Sequence, residues 1–467
     1  MTFSNVASAA LIAAAGAVAG CQSYRSQPLD LGAHREAFLA RTPGAPEVEQ
    51  LAQSLSDEVP AAGERAGFDA SDGLSAAEAE LVALVFNGEL RIARARAGVT
   101  LAGSEHAGLW DDPTIGTDIT RILESTTHPW KVFTSIGLTL PVSGRLEVEK
   151  ARAGVAHAAE LARVAEREWL VRMEVRRVWV QWAAIGAQIE AQQGLLGRID
   201  DVVSVVDAME RFGELSRTEA RLFRVERAGA AAELTLLESR LEQSTLALKR
   251  LMGLPPSAEV LLSGTGLIPM PDTVPVAGVS GEMEHELILG SPLLLATLAE
   301  YELAERTLEL EVRKQYPDLQ IGPGYGSEDG QNQLLLGLSV PIPILNANRG
   351  GIAEAEAARE VARAIAETSV EQLMDELAVA VLQLRTAAVQ RQVLESEIVP
   401  LVEAQYEDVR EIARLGELNA VVMLDSLKRQ QEIKSRLIEA RRDEALAAIR
   451  WRKIVGPGPT TGEGVTP

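Results

Sequence analysis

The sequence predicts a mainly α-helical chain with a small β part, laid out as two tandem repeats of helix, strand, strand, long helix and return helix. Three observations carry that prediction. Segments recur in the same order at nearly one offset, helical periodicity runs unbroken over tens of residues, and short stretches alternate apolar with polar residues.

The recurrence centres on Gly337 to Gly351, reading G-L-S-V-P-I-P-I-L-N-A-N-R-G-G, where a strand pattern turns into a helix pattern. Its echo is Gly137-Leu138-Thr139-Leu140-Pro141. Further on, Arg211-Phe212-Gly213-Glu214-Leu215 returns as Arg414-Leu415-Gly416-Glu417-Leu418, and Gly253 returns as Gly456. Singly such matches arise by chance; in one order they indicate a duplication of about 200 residues. The repeats fall at 74–261 and 282–456, with a linker at 262–281, a lead segment at 21–73 and a disordered tail at 457–467.

Before the repeats, residues 11–20 (L-I-A-A-A-G-A-V-A-G) form a short apolar run ending at Cys21, the sole cysteine. A lone cysteine makes no internal disulfide, and Val18-Ala19-Gly20-Cys21 is similar to a bacterial lipoprotein signal, 1–20, with its lipobox. That makes Cys21 a lipidation (palmitate) site, although no basic residue precedes Arg25. Gln22 stands where an Asp commonly marks inner-membrane retention, which favours the outer membrane. An apolar stretch with a buried cysteine is the alternative; the run is too short to span a bilayer.

Each repeat opens with one helix: Leu74 to Ala97, with Gly98 as its stop, and in the second half from Glu282 and Glu284 to about Arg313. Trp130 to Leu140 then alternates, presenting Trp130, Val132, Thr134, Ile136, Leu138 and Leu140 on one face. Its partner lies within Leu109 to Ile122, while Leu319 to Tyr325 and Leu334 to Val340 form a hairpin around Ser327 to Asn332. Strands of this length with one apolar face suit a membrane barrel, and equally a soluble sheet with one buried face. Four strands cannot close a barrel alone, so the membrane reading requires several copies.

After Gly144 helical periodicity continues to Gly213, about 65 residues or ~100 Å of helix. Val171, Val175, Val178, Trp182, Ile185, Ile189, Gln192, Leu196, Ile199, Val203 and Val206 step by four and three, the heptad spacing of a coiled coil. The pattern resumes from Arg217 to Met252 and stops at Gly253-Leu254-Pro255. In the second half Ile352 to Leu415, kinked at Pro400, and Asn419 to Val455 repeat it.

Composition bounds the function. A formal net charge of −22 disfavours nucleic acid as a partner. No phosphate-binding glycine loop, zinc-protease helix or nucleophile elbow occurs, and the five histidines show no ligand spacing. Neither an enzyme nor a cofactor or metal site is expected.

The element order, the Asn87-Gly88-Glu89-Leu90 segment, G-L-x-x-P before each long helix and Leu-Met-Gly-Leu-Pro at 251–255 resemble the outer membrane factor family, the TolC-like exit ducts of Gram-negative efflux pumps. Val340-Pro341-Ile342-Pro343-Ile344-Leu345-Asn346-Ala347-Asn348-Arg349-Gly350 looks like the P-x-P-x-F-N-x-N-x-G segment of its heavy-metal, CzcC-like branch, with Leu345 where Phe is usual. The resemblance covers about Leu74 to Gly456. It implies a homotrimer whose twelve strands close one outer-membrane β-barrel, continued by a periplasmic α-helical coiled-coil barrel. Gly213, Glu214, Leu215, Gly416, Glu417 and Leu418 would then be hairpin tips meeting a periplasmic adaptor protein, and through it an inner-membrane pump. Glu219 and Asp425 would line the periplasmic aperture, where a carboxylate ring acts on cations. The implied function is a passive conduit for export, with heavy-metal cations as cargo and drugs or secreted proteins as alternatives. A lipid-anchored periplasmic coiled-coil scaffold without a pore is the reading from another class.

Overall fold

The computed structural model describes residues 24–58, 68–123, 130–264, 288–328, 331–415 and 419–457. The expected signal peptide with Cys21, the linker beyond 264, Glu282, Glu284, the second tip Gly416, Glu417 and Leu418, and the tail beyond 457 lie outside these residues.

The chain divides into two compact units, Met1–Arg41 and Thr42–Pro467. In the first, helix α1 (Leu31–Leu39) is capped by the Asp30 carboxylate, which accepts from the Ala33 amide at 3.0 Å. The second unit holds everything else. It runs α2 (Pro46–Glu58), α3 (Ala76–Phe86), α4 (Gly88–Glu105), β1 (Thr114–Arg121), β2 (Trp130–Leu140), α5 (Arg145–Phe212) and α6 (Arg217–Leu251). The order then returns as α7 (Pro292–Arg313), β3 (Leu319–Glu328), β4 (Gln331–Ser339), α8 (Arg349–Val393), a π-helical turn (Leu394–Ile398), α9 (Val399–Arg414) and α10 (Ala420–Val455).

The first helix differs from expectation. It is broken at Asn87, and Gly98 lies inside α4 rather than ending it. Asn87 ends α3 and caps α4, its side chain accepting from the Glu89 and Leu90 amides at 2.9 and 3.2 Å. Its amide nitrogen donates to the Leu251 carbonyl at 2.8 Å, so the break is tied to the end of α6. Gly253, at φ +69°, seats directly on this break, with no room for a Cβ against the Phe86 carbonyl. The second half repeats the device: Gly456, at φ +82°, lies over Gly290 at the start of α7, where a Cβ would stand 2.7 Å from the Gly290 carbonyl oxygen.

The 3.5-residue stripe of α5 is where the core forms. Val171, Val175, Val178, Trp182, Ile199 and Val206 are buried, the first four among residues of α3 and α6, Ile199 among residues of α6, α9 and α10, and Val206 against Ala220 and Phe223 of α6. Gln192, the polar interruption, is also buried; it donates to the Ala230 carbonyl at 2.9 Å and accepts from Gln431 at 3.1 Å. Leu294, Leu373, Leu377 and Ile454 form the counterpart core of the second half.

Charges also join elements distant in sequence. Glu80 of α3 is 3% exposed and bonds Arg172 at 2.8 Å and, more closely, Arg176, both on α5. In the second half, Arg391, Glu395, Arg441 and Glu444 form a chain of ion pairs beside the π turn. That turn lies one turn before Pro400, whose ring nitrogen has no proton for the helical ladder, so the expected kink takes the form of a changed hydrogen-bond register.

Candidate channel wall and hairpin tips

The four strands form one antiparallel sheet in the order β1-β2-β3-β4. β2 and β3 are separated by α5, α6 and α7, so the sheet joins segments from the two halves of the chain. The observed β2 matches the expected Trp130 to Leu140, and β1 lies inside the expected 109–122; β3 and β4 extend further toward their turn than expected.

Register places side chains on two faces. On one lie Ile115 and Ile119 of β1, Trp130, Val132, Ile136 and Leu138 of β2, Ile321 and Tyr325 of β3, and Leu334, Leu336 and Leu338 of β4. Nearly all of these are exposed; Leu334 reaches 85% and Ile115 66%. The other face carries Asp118, Thr120, Lys131, Ser135, Thr139, Gln320, Gln333 and Ser339, with glycines at 116, 137, 322, 324, 326 and 337. In β2 this polar face is the better covered one. A soluble sheet hides its apolar face; this sheet presents it.

Two features shape the sheet, one on each face. The Phe133 ring lies over Gly324 and Gly326, where a Cβ at Gly324 would stand 2.5 Å from it. Pro323 sits in an inner strand, and the β2–β3 pairing skips Ile136 and Gly137 opposite it. At the hairpin end, Arg121 stacks on Trp130 at 5.6 Å and Lys131 pairs with Glu328 at 3.0 Å. β1 and β4 end the sheet with unpaired edges.

At its other end the sheet passes into helices. Between β4 and α8, Ala347 and Asn348 both adopt left-handed backbone, φ +47° and +52°. The Asn348 amide donates to the backbone oxygen and carboxylate of Glu311 on α7, at 2.8 Å each. At Gly351 a Cβ would stand 2.6 Å from that carboxylate and 2.7 Å from the Asn348 side-chain oxygen, so the pair would have to shift to admit one. Between β2 and α5, Ser143 donates to Asp318 at 2.8 Å, and Arg145 lies 3.5 Å from the same carboxylate.

The first hairpin tip is closed by Gly213 at φ +80°, with the Glu214 amide donating to the Met209 carbonyl at 2.9 Å. Glu214 is exposed, whereas Leu215 packs against Val206 and Phe223. Glu219 completes a capping box: it accepts from the Ser216 hydroxyl at 2.7 Å and amide at 3.1 Å, and these bonds hold its carboxyl below the usual range. Asp425 is exposed, with Arg429 at 3.5 Å. Asn419, just past the second tip, caps α10 through the Val421 and Val422 amides.

Among the described residues no cluster of three or more metal-ligating side chains occurs. No helix there is long and apolar enough to cross a membrane. Sequence reasoning placed Asn348 in a motif without its role and missed Glu80 and Glu311, because their partners lie far away in the chain.

No family model matches the chain. Its sequence is 24% identical over 246 residues to the cobalt-zinc-cadmium resistance protein CzcC of Cupriavidus metallidurans, an alignment covering 52% of this chain and 57% of that protein. The chain thus spans little more than half the length of the curated relative it matches. The fold is shared with CusC, at a TM-score of 0.67, 15% identity and coverage of 94% of this chain and 100% of that one. It is shared with the outer membrane protein VceC of Vibrio cholerae, at 0.66, 15% identity and coverage of 82% and 96%. The CmeC outer membrane channel of Campylobacter jejuni gives 0.66, 13% identity and coverage of 85% and 90%. The sequence likeness is thus to a cobalt-zinc-cadmium resistance protein, and the fold is one shared with solved outer membrane channel proteins.

Proposed function

We propose that the chain is one protomer of an outer-membrane exit duct, a passive conduit for export that performs no chemistry of its own. The observation that carries this is the sheet whose apolar face is the exposed one and whose two edges are unpaired. In lipid, unpaired amides find no partner, so such a sheet suits closure with further copies. Three copies supply twelve strands, each β4 meeting the next copy's β1. The long helices then continue the barrel as a periplasmic tunnel, with residues 74–261 and 282–456 as equivalent repeats.

Within this duct the tips at Gly213, Glu214 and Leu215, and at Gly416, Glu417 and Leu418, meet a periplasmic adaptor that couples the duct to an inner-membrane pump. Glu219 and Asp425, both just past a tip, line the aperture. Cys21 carries the lipid that anchors the mature chain. Heavy-metal cations are the proposed cargo, a reading supported by the sequence match to CzcC and by the net charge of −22.

The test is reconstitution. The purified full-length protein is expected to migrate as a heat-modifiable oligomer on gels and to conduct ions in planar bilayers. Fractionation as a soluble protein once the lipid is removed, together with no conductance, would overturn the duct and leave a lipid-anchored scaffold. Gene deletion should raise sensitivity to at least one of zinc, cobalt, cadmium or copper; unchanged tolerance to all four would count against metal cargo.

A further inference from the structure

The outward apolar alternation of the sheet does not stop where its hydrogen bonds stop. Along β2 it passes through Ile136, Leu138 and Leu140 and, beyond Pro141, reaches Val142, which is 66% exposed. Along β4 it passes through Leu334, Leu336 and Leu338 to Val340 and, between Pro341 and Pro343 and beyond, to Ile342 and Ile344, each 76% exposed. Both extensions leave the same end of the sheet, where Leu140 faces Leu319 and Ser339 faces Gln320.

Both use one backbone device. The Val142 amide donates to the Leu140 carbonyl at 2.9 Å, and the Ile344 amide donates to the Ile342 carbonyl at 2.9 Å. Each bond spans a single proline, Pro141 or Pro343, closing a three-residue γ-type turn. Two halves of a duplicated chain thus end a strand with the same turn and leave an aliphatic side chain uncovered.

Irregular backbone is normally kept out of lipid because its amides go unpaired. Here the cost is small. Pro141, Pro341 and Pro343 have no amide proton, and the donors of Val142 and Ile344 are used within the turns. No charged residue occurs between Val340 and Leu345. The strip continues the outward stripe of the strands, and the polar groups beside it, Lys314, Asn346 and Asn348, lie on the side where the helices begin.

We infer that the two proline turns form an apolar collar seated in the interfacial layer of a phospholipid bilayer, on the side from which the helices depart. This rests on the sheet's being a membrane wall. Val142, Ile342 and Ile344 touch lipid, and the prolines and γ-type turns let the chain leave the ladder there with the Ile342 amide as the donor left to interfacial water.

The test places photo-reactive benzoylphenylalanine singly at Val142, Ile344, Leu336 and Glu371 of the full-length protein in phosphatidylethanolamine–phosphatidylglycerol vesicles. Leu336 lies on the outward face of β4, and Glu371 is an exposed residue of α8. After illumination, mass spectrometry is expected to find phospholipid adducts at positions 142 and 344 within about threefold of the yield at 336, and none at 371. Lipid at 336 with cross-links at 142 and 344 only to a second copy of the chain, or with no adducts there, would overturn the collar while leaving the wall intact. Absence of lipid at 336 itself would overturn the wall and the collar together. Should the bulky residue at 344 impair assembly, Leu345, 91% exposed, carries the probe instead.

Discussion

Asn348 and Glu311 are bonded twice: one amide nitrogen of Asn348 lies 2.8 Å from both the backbone oxygen and the carboxylate of Glu311. This pins the corner where β4 passes into α8 to the helix that leads into β3. Asn348→Asp removes both donors and sets one carboxylate against another. A loss of about 2–4 kcal/mol in stability is expected, read by thermal unfolding in detergent.

The same carboxylate gives a pH dependence. Lys314, and after it Asn348, hold the Glu311 carboxyl below its usual range. A depressed folded-state pKa means that the stabilisation is present above the ordinary glutamate pKa and is lost as pH falls through the lower folded value. Wild-type protein should therefore lose stability on acidification over that interval. Glu311→Gln should flatten the loss, measured as melting temperature against pH, and an unchanged slope would show that this carboxylate does not contribute.

Two glycines with the same backbone sign should respond differently to alanine. Gly213 has positive φ but nothing within 4 Å of a Cβ, so Gly213→Ala costs only left-handed strain, about 1–2 kcal/mol. At Gly253 a Cβ would lie 2.5 Å from the Phe86 carbonyl carbon, and backbone cannot step aside. Gly253→Ala should reduce the yield of folded protein severely, while Gly213→Ala leaves it near wild type. Equal yields would contradict the packing of the repeat ends.

Glu80 is buried against two arginines whose own side chains stay partly exposed. Glu80→Gln keeps the shape but removes the charge from both ion pairs, leaving one amide oxygen to accept from Arg172 or Arg176. The expected loss is about 2–3 kcal/mol, at or below the low end for a buried pair because Arg172 and Arg176 can turn to water. Limited proteolysis should show α3 released from α5 before the rest of the protein is cut.

On the polar face of the sheet, Gly324→Ala and Gly326→Ala should part company in a Phe133→Ala background. At Gly324 the nearest atoms to a Cβ belong to the Phe133 ring, whereas at Gly326 the Val132 carbonyl oxygen also lies 2.7 Å away. Removing the ring should rescue the first and not the second, with a coupling of about 1–2 kcal/mol for the Gly324 pair. The fraction of heat-modifiable oligomer on gels reports both.

Much of the architecture was legible because it is periodic. The alternation that set Trp130 to Leu140 and the heptad stripe from Val171 to Val206 each rest on many residues pointing one way, and Gly144 and Gly213 mark the ends of α5 through positive φ. What was misread rested on single residues. Gly98 looks like a helix stop, but its Cβ position faces open space and α4 continues through it. The break at Asn87 follows from its bond to Leu251, a partner 164 residues away. The site-forming pairs, Glu80 with Arg172 and Asn348 with Glu311, are likewise tertiary, and no local spacing announces them.

The π turn at Leu394–Ile398 makes the two long helical runs of the chain mechanically unequal. α5 runs 68 residues as one rod, while its counterpart is divided into α8, the π turn and α9. A bundle of alternating rigid and jointed struts yields at the joints first. Bending compliance is thereby concentrated in the second repeat, at a height set by Leu394–Ile398 and limited by the ion pairs through Glu395. Load applied at the tips would be carried by α5 and accommodated by α8 and α9.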